Sequence, residues 1–177
     1  MQKGYHMAKV SIIGAGSWGT ALGLLLCNNG HDVTICSENE KEIESLKEHR
    51  EHLTKLPGVK LPDEMKFTSD VRGSLAAADI CVSASRSEGL PFAVMEAMHT
   101  ALPCVLTRVK GHEDLLEGSG GGYLVPFGDA AAFAEAVQTL GRDAALRARM
   151  GAAANESTEK YALDRVLPEV LPHFTRH

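Results

Sequence analysis

The residues best placed for chemistry come early in the chain. Gly14-Ala15-Gly16-Ser17-Trp18-Gly19 follows a short β-branched run and has the Gly-x-Gly-x-x-Gly spacing. In that spacing Gly14 permits a tight turn, Gly16 lets bare backbone approach a pyrophosphate, and Gly19 allows a helix to pack closely on a strand. Ser17, Trp18 and Gly19 then open the helix, whose free N–H groups and partial positive charge suit phosphate. A carboxylate is expected about 20 residues further on, at the end of the next strand, to hold ribose hydroxyls. Glu38 occupies that position, while the competing acid, Asp32, falls at the amino end of the same strand, on the wrong edge of a sheet.

A second constellation lies at Glu88-Gly89-Leu90-Pro91, with Glu96 beyond it. Gly89 and Leu90 bring exposed backbone to a helix start, which suits the diphosphate of a sugar nucleotide. Glu96, one to two turns into that helix, would accept hydrogen bonds from ribose hydroxyls. The alternative for Glu88 and Glu96 is that they only cap and solvate the helix. His49 and His52 are three residues apart on a charged stretch with no third ligand in place, so a solvated face is expected there and no metal site. His112 is assigned a loop or supporting role.

These residues need elements to position them, and the chain alternates short β-branched runs with amphipathic stretches throughout. The pattern is that of an α/β fold with a doubly wound parallel sheet. Strands are expected at 10–13, 33–36, 66–69, 79–83, 103–107 and 122–125. Helices are expected at 18–28, 40–53, 71–77 and 91–100, and the chain after Asp129 is mainly helical. On the helix over 40–53, Ile43, Leu46 and Leu53 form the apolar face, and Leu56-Pro57-Gly58 marks its stop. Phe133, Val137 and Leu140 form one later stripe, and Leu163, Val166, Leu167, Val170, Leu171 and Phe174 form another. Right-handed crossovers give a Rossmann-like sheet of six strands in the order 3-2-1-4-5-6, with the switch point between strands one and four. Ligands of such sheets bind outside the carboxyl ends of those strands, which is where the glycines and Glu88 fall.

Composition narrows the classes of partner. The chain has 177 residues, a formal net charge of -5 and 44% hydrophobic content, which fits one soluble domain with no basic surface for nucleic acid. No apolar run approaches the roughly 20 residues of a membrane span. The four cysteines, Cys27, Cys36, Cys81 and Cys104, lie in apolar stretches without metal-ligand spacing and read as reduced thiols of a cytoplasmic protein. Residues 1–6 precede a second natural start at Met7 and read as an expression leader.

Two resemblances divide the chain. Residues 9–22, then Gly30-His31-Asp32-Val33-Thr34, Leu56-Pro57-Gly58-Val59-Lys60-Leu61-Pro62 and Thr68-Ser69-Asp70, resemble NAD-dependent glycerol-3-phosphate dehydrogenase. The likeness covers residues 8–70 and implies NAD as cofactor, bound at Gly14, Gly16, Ser17, Trp18, Gly19 and Glu38. That family's catalysis depends on later lysines, one in a Lys-Gly step that Lys110-Gly111 mimics in a different surrounding. From residue 74 to 174 the chain resembles the donor domain of a family 4 GT-B glycosyltransferase. The likeness rests on Ser85-Arg86-Ser87-Glu88-Gly89-Leu90-Pro91, Glu96, Gly111-His112-Glu113 and Gly121-Gly122-Tyr123-Leu124-Val125-Pro126. It implies a sugar-nucleotide site at Glu88, Gly89, Leu90 and Glu96, with Glu88 near the transferred sugar.

Natural fusions join whole domains through linkers, whereas here two families meet inside one sheet between Asp70 and Ala78. The sequence therefore reads as an engineered chimera of residues 7–73 and 74–177 in a single domain. The expected function is weak NAD(H)-type dinucleotide binding without a complete active site. The alternatives are residual sugar-nucleotide binding or glycosyltransferase-type activity, and a ligand-free scaffold. The apolar strip near the C-terminus makes self-association a further expectation.

Overall fold

The computed structural model describes residues 7–161. The apolar strip of residues 163–174, and the self-association inferred from it, lie outside the described residues. Within them the chain forms β1 (Lys9–Ile13), α1 (Ser17–Asn28), β2 (Asp32–Cys36), α2 (Glu40–His49), β3 (Glu51–His52), β4 (Leu56–Lys60), β5 (Lys66–Thr68), α3 (Val71–Ala76) and β6 (Ile80–Ser83). There follow α4 (Phe92–His99), β7 (Cys104–Thr107), α5 (Lys110–Leu116), β8 (Gly122–Val125), α6 (Ala130–Arg142), α7 (Ala144–Thr158) and a 3-10 turn at Glu159–Tyr161.

Six parallel strands make one sheet in the order β5-β2-β1-β6-β7-β8, which is 3-2-1-4-5-6 counted along the chain. β1 pairs with β2 on one side and β6 on the other, so the switch point falls where the order predicts it. The central strands are mostly buried, since helices cover both faces of the sheet, and even their polar residues Ser11, Ser83 and Thr107 are inside. Ile12, Ile35, Ile80, Val82, Val105 and Leu106 are buried, as are Phe133, Val137 and Leu140 of α6 on one face. Val94, Ala97 and Met98 of α4 pack with Cys104, Leu106 and Ala154 on the other.

α1 ends as the sequence indicates. Asn29 N–H donates to the Leu25 carbonyl, and Gly30 follows at φ 85, the left-handed position that glycine occupies without strain.

The segment after α2 departs from expectation. The helix expected over 40–53 stops at His49, and residues 51–60 form a small antiparallel hairpin of β3 and β4. Arg50 is the cause, since it takes a left-handed conformation at φ 51 and its N–H caps Leu46 O. Its guanidinium donates to the carbonyls of Pro62 and of Met65 and lies 5.0 Å from the Phe67 ring centroid. Those partners are distant in sequence, so periodicity could not reveal the stop. Leu53 accordingly leaves the apolar face and stands 47% exposed. Leu56-Pro57-Gly58 begins β4 instead of ending a helix, with Gly58 at φ 82.

Two buried histidines give the fold a pH dependence. Burial pushes His31 and His112 below the ordinary imidazole value of 6.5, and for His112 the Thr107 carbonyl and Glu88 pull weakly the other way. The unfolded chain therefore binds more protons than the folded one as pH falls below about 6.5. The stabilisation is fully present above that pH and is lost as pH falls towards the depressed folded values. Urea melts should show a lower midpoint at pH 5.5 than at pH 7.5, and replacing both histidines by Asn should reduce the difference.

Candidate functional site

The glycine turn leaves β1 at the switch point. Gly14 has φ 93, a conformation few other residues adopt, and its N–H donates 2.8 Å to the Cys36 carbonyl at the end of β2. Gly16 is the N-cap of α1, with extended backbone and no side-chain cap. A Cβ built on Gly16 would meet nothing within 4 Å, so its surface faces open space. A Cβ on Gly19 would lie 2.5 Å from the Gly14 carbonyl oxygen, so that position holds helix and strand together. The three glycines thus divide into turn, open cradle and packing contact, as their spacing implies.

Two recesses meet at Gly14. One, of about 390 Å³, is lined by Gly14, Glu38, Glu88, Leu90 and Pro91 among others. The second, of about 240 Å³, is lined by Gly14, Gly16, Ser17, Trp18, Gly19, Lys55, Ala84, Ser85 and Arg86. The residues Gly14, Gly16, Ser17, Trp18, Gly19 and Glu38 are therefore brought around one crevice, and Glu88 and Leu90 share it from the opposite side. Gly89, exposed between them, also presents open space where a Cβ would stand.

Glu96 is placed elsewhere. It lines a separate recess of about 530 Å³ with Arg72, Met95, His99 and Tyr161, and its carboxylate pairs with Arg72 at 2.5 Å. Seven residues of loop and helix separate Glu88 from Glu96, enough to turn the second carboxylate away from the crevice. Asp32, at the start of β2, pairs with Lys66 at 2.8 Å on the far edge of the sheet. Lys110 begins α5 and is not among the described residues lining either recess at the glycine turn.

The loop between β6 and α4 is clamped by the second half of the chain. Thr107 Oγ1 donates 2.6 Å to the Ser85 carbonyl, and His112 Nδ1–H donates 2.8 Å to the Thr107 carbonyl. A Cβ on Gly111 would come 2.6 Å from the Glu88 carbonyl oxygen, so α5 packs directly on the loop. His112 is buried in α5, where its ring braces the Thr107 carbonyl.

The sequence pattern put His52 on a solvated face and gave no role to Lys55 or Arg86. His52 does not share a solvated helix face with His49; it is buried in the hairpin. Its Nδ1 accepts from Lys55 N–H at 3.3 Å, which leaves Nε2 to carry the proton and donate to the Ala15 carbonyl at 3.0 Å, with Glu42 at 3.1 Å. The hairpin is thereby tied to the glycine turn. The one available signal was a lone histidine and lysine between a helix and Leu56-Pro57-Gly58, and nothing in that spacing points to Ala15.

Among the described residues no group of three His, Cys, Asp or Glu could hold a metal ion, and no helix is long and apolar enough to cross a membrane.

Comparison with known proteins finds two kinds of relative. Over the whole chain the fold matches GT-B glycosyltransferase structures. These include HepE from Anabaena in complex with UDP-glucose, with TM-score 0.75 and 18% identity over 96% of this chain and 49% of that one. They also include TarM, with TM-score 0.71 and 21% identity over 98% and 36%. At that identity the likeness is one of fold. In sequence, the glycerol-3-phosphate dehydrogenase [NAD(P)+] of Agathobacter rectalis is 60% identical over 78 residues, 44% of this chain and 23% of the relative. The enzyme of the same name from Fusobacterium nucleatum is 44% identical over 84 residues, 48% of this chain and 25% of the relative. The chain thus spans about a quarter of the length of these relatives. The family model for the N-terminus of NAD-dependent glycerol-3-phosphate dehydrogenase matches residues 9–115, from β1 into α5. By that match the chain belongs to the family of NAD-dependent glycerol-3-phosphate dehydrogenase N-terminal domains.

Proposed function

We propose that the crevice at the switch point binds the ADP-ribose part of NAD(H), and that it does so as a binding module without turnover. The observation that carries this reading is the open surface of Gly16 at the uncapped start of α1, beside a recess that also holds Glu38. Gly14, Gly16, Ser17, Trp18 and Gly19 would hold the diphosphate by backbone N–H groups, and Glu38 the adenosine ribose. A bound nicotinamide dinucleotide supplies hydride-transfer chemistry. The far side of that same recess, where the nicotinamide side would lie, offers Glu88 and the apolar Leu90, Pro91 and Phe92, and no lysine is among the described lining residues of the recess. Affinity therefore rests on the adenosine and diphosphate ends, and weak binding is expected.

The proposal extends to origin. High identity to dehydrogenases over 78 residues and a sugar-transferase fold over nearly the whole chain support an engineered join, placed between residues 7–73 and 74–177, although the dehydrogenase family match runs on to residue 115. The two parts share one sheet through the β1–β6 pairing.

A second reading is favoured by the uncapped start of α4 and by Glu88 and Leu90 on the crevice wall, which would receive a sugar nucleotide at Glu88, Gly89, Leu90 and Glu96. The Glu96–Arg72 ion pair counts against it. Calorimetric titration separates the readings. NADH should bind and UDP-glucose should not, and Glu96→Ala should leave the NADH affinity within about twofold of the parent. UDP-glucose binding that depends on Glu96 would reverse the assignment.

A further inference from the structure

The diphosphate of a dinucleotide carries two negative charges, and the crevice around the glycine turn already holds two carboxylates, Glu38 and Glu88. A helix N-terminus contributes only about half a positive charge. Among the described residues that line the recess beside the glycines, two side chains are cationic, Lys55 from the hairpin and Arg86 from the β6–α4 loop. Lys55 is already paired, its ammonium held against Glu42. Arg86 forms no ion pair among the described residues and rests instead with its guanidinium 5.1 Å from the Phe127 ring centroid. Phe127 in turn packs on Trp18, with ring centroids 5.9 Å apart. Trp18 is in the first turn of α1, so this stack fixes the guanidinium relative to the N–H groups of the helix start. The loop behind Arg86 is held by the Thr107–Ser85 hydrogen bond and by the close approach of Gly111 to the Glu88 carbonyl.

We propose that Arg86 is the counter-charge of the bound diphosphate, its planar guanidinium facing the phosphate oxygens across the recess from the backbone of Gly14 to Gly19. The guanidinium presents paired donors that match phosphate oxygens, and an aromatic ring beneath it does not consume those donors. The glycine turn and Arg86 both lie within the stretch that the dehydrogenase family model matches, whereas Phe127, the platform of the guanidinium, lies beyond it. This inference rests on the dinucleotide reading of the glycine turn and assigns that site its missing positive charge.

The test uses ADP-ribose as the probe and calorimetry at low and at physiological salt, on the full chain and on Arg86→Gln, Arg86→Lys and Gly16→Val. Arg86→Gln should weaken binding about 10–100-fold, the size expected of a lost charge-assisted contact, and should flatten the salt dependence. Arg86→Lys should recover part of the affinity and the salt slope. Melting of Arg86→Gln without ligand should match the parent, and Phe127→Leu, which keeps the charge but removes its platform, should weaken binding about threefold. Binding that Arg86→Gln leaves within twofold, while Gly16→Val abolishes it, would overturn the role of Arg86 and leave the dinucleotide reading standing. Failure of the parent protein to bind ADP-ribose at all would overturn both.

Discussion

Gly16→Val is expected to abolish ADP-ribose binding, by about 100-fold or more, while the protein stays folded; Gly19→Ala is expected to do the reverse damage. Gly16 has φ -67 and ψ 170, which any residue can adopt, and the space beside it is open. The Cβ of a valine there meets no protein atom within 4 Å but stands where a phosphate would approach the backbone. Its cost to folding is the exchange of one helix N-cap residue for a poorer one, under about 1 kcal/mol. Gly19 has no such space, because a methyl group would be driven against the Gly14 carbonyl and towards Ile12 Cγ2 at 3.7 Å. Backbone cannot step aside as a flexible side chain can, so α1 must lift off β1 at a cost of about 1–3 kcal/mol. Paired calorimetric titrations and thermal melts check both halves of the statement. A Gly16→Val protein that binds normally would show that no ligand approaches that backbone.

The largest loss of stability is expected at Gly122→Ala. Gly122 pairs with Cys104 in the β7–β8 register, and a Cβ on it would overlap the Cys104 carbonyl. Its neighbour Gly121 is also confined, since a Cβ there would lie 2.7 Å from Ala154 of α7. No side-chain rotation relieves either contact, so β8 must separate from β7 at a cost of about 3 kcal/mol or more. The consequence reaches the crevice, because β8 ends at Val125, two residues before Phe127 and its stack with Arg86 and Trp18. Urea unfolding of Gly122→Ala should show a much lower midpoint, and ADP-ribose affinity should fall with it. An unchanged midpoint would mean that β8 does not sit in this register.

What was legible in the sequence was whatever is written locally. Strand, glycines, helix and strand from Lys9 to Cys36 carry their own punctuation, and the rule that ligands gather at the switch point placed the crevice. Asp32 could be set aside and Glu38 retained on strand polarity alone, and the Asp32–Lys66 pair on the far edge agrees. The hairpin after α2 was not legible, because Arg50 ends the helix through carbonyls of the Pro62–Met65 segment and His52 is buried by a contact with Ala15. Arg86 and Phe127 were invisible for the same reason: the stack that joins them to Trp18 spans most of the chain. Glu96 shows the opposite hazard. Its spacing from Glu88 suggested one site, but the helix and the Arg72 partner put it in another recess.

The central claim, that one crevice between the glycine turn and Arg86 holds a dinucleotide diphosphate, is tested most directly by assigned amide NMR spectra recorded during an ADP-ribose titration. The account predicts saturable shifts at Gly14, Gly16, Ser17, Trp18, Gly19, Glu38 and Arg86, with Glu96 and His99 unmoved. Shifts confined to Glu96, His99 and Tyr161, or none at the glycine turn when ligand is in large excess, would contradict it.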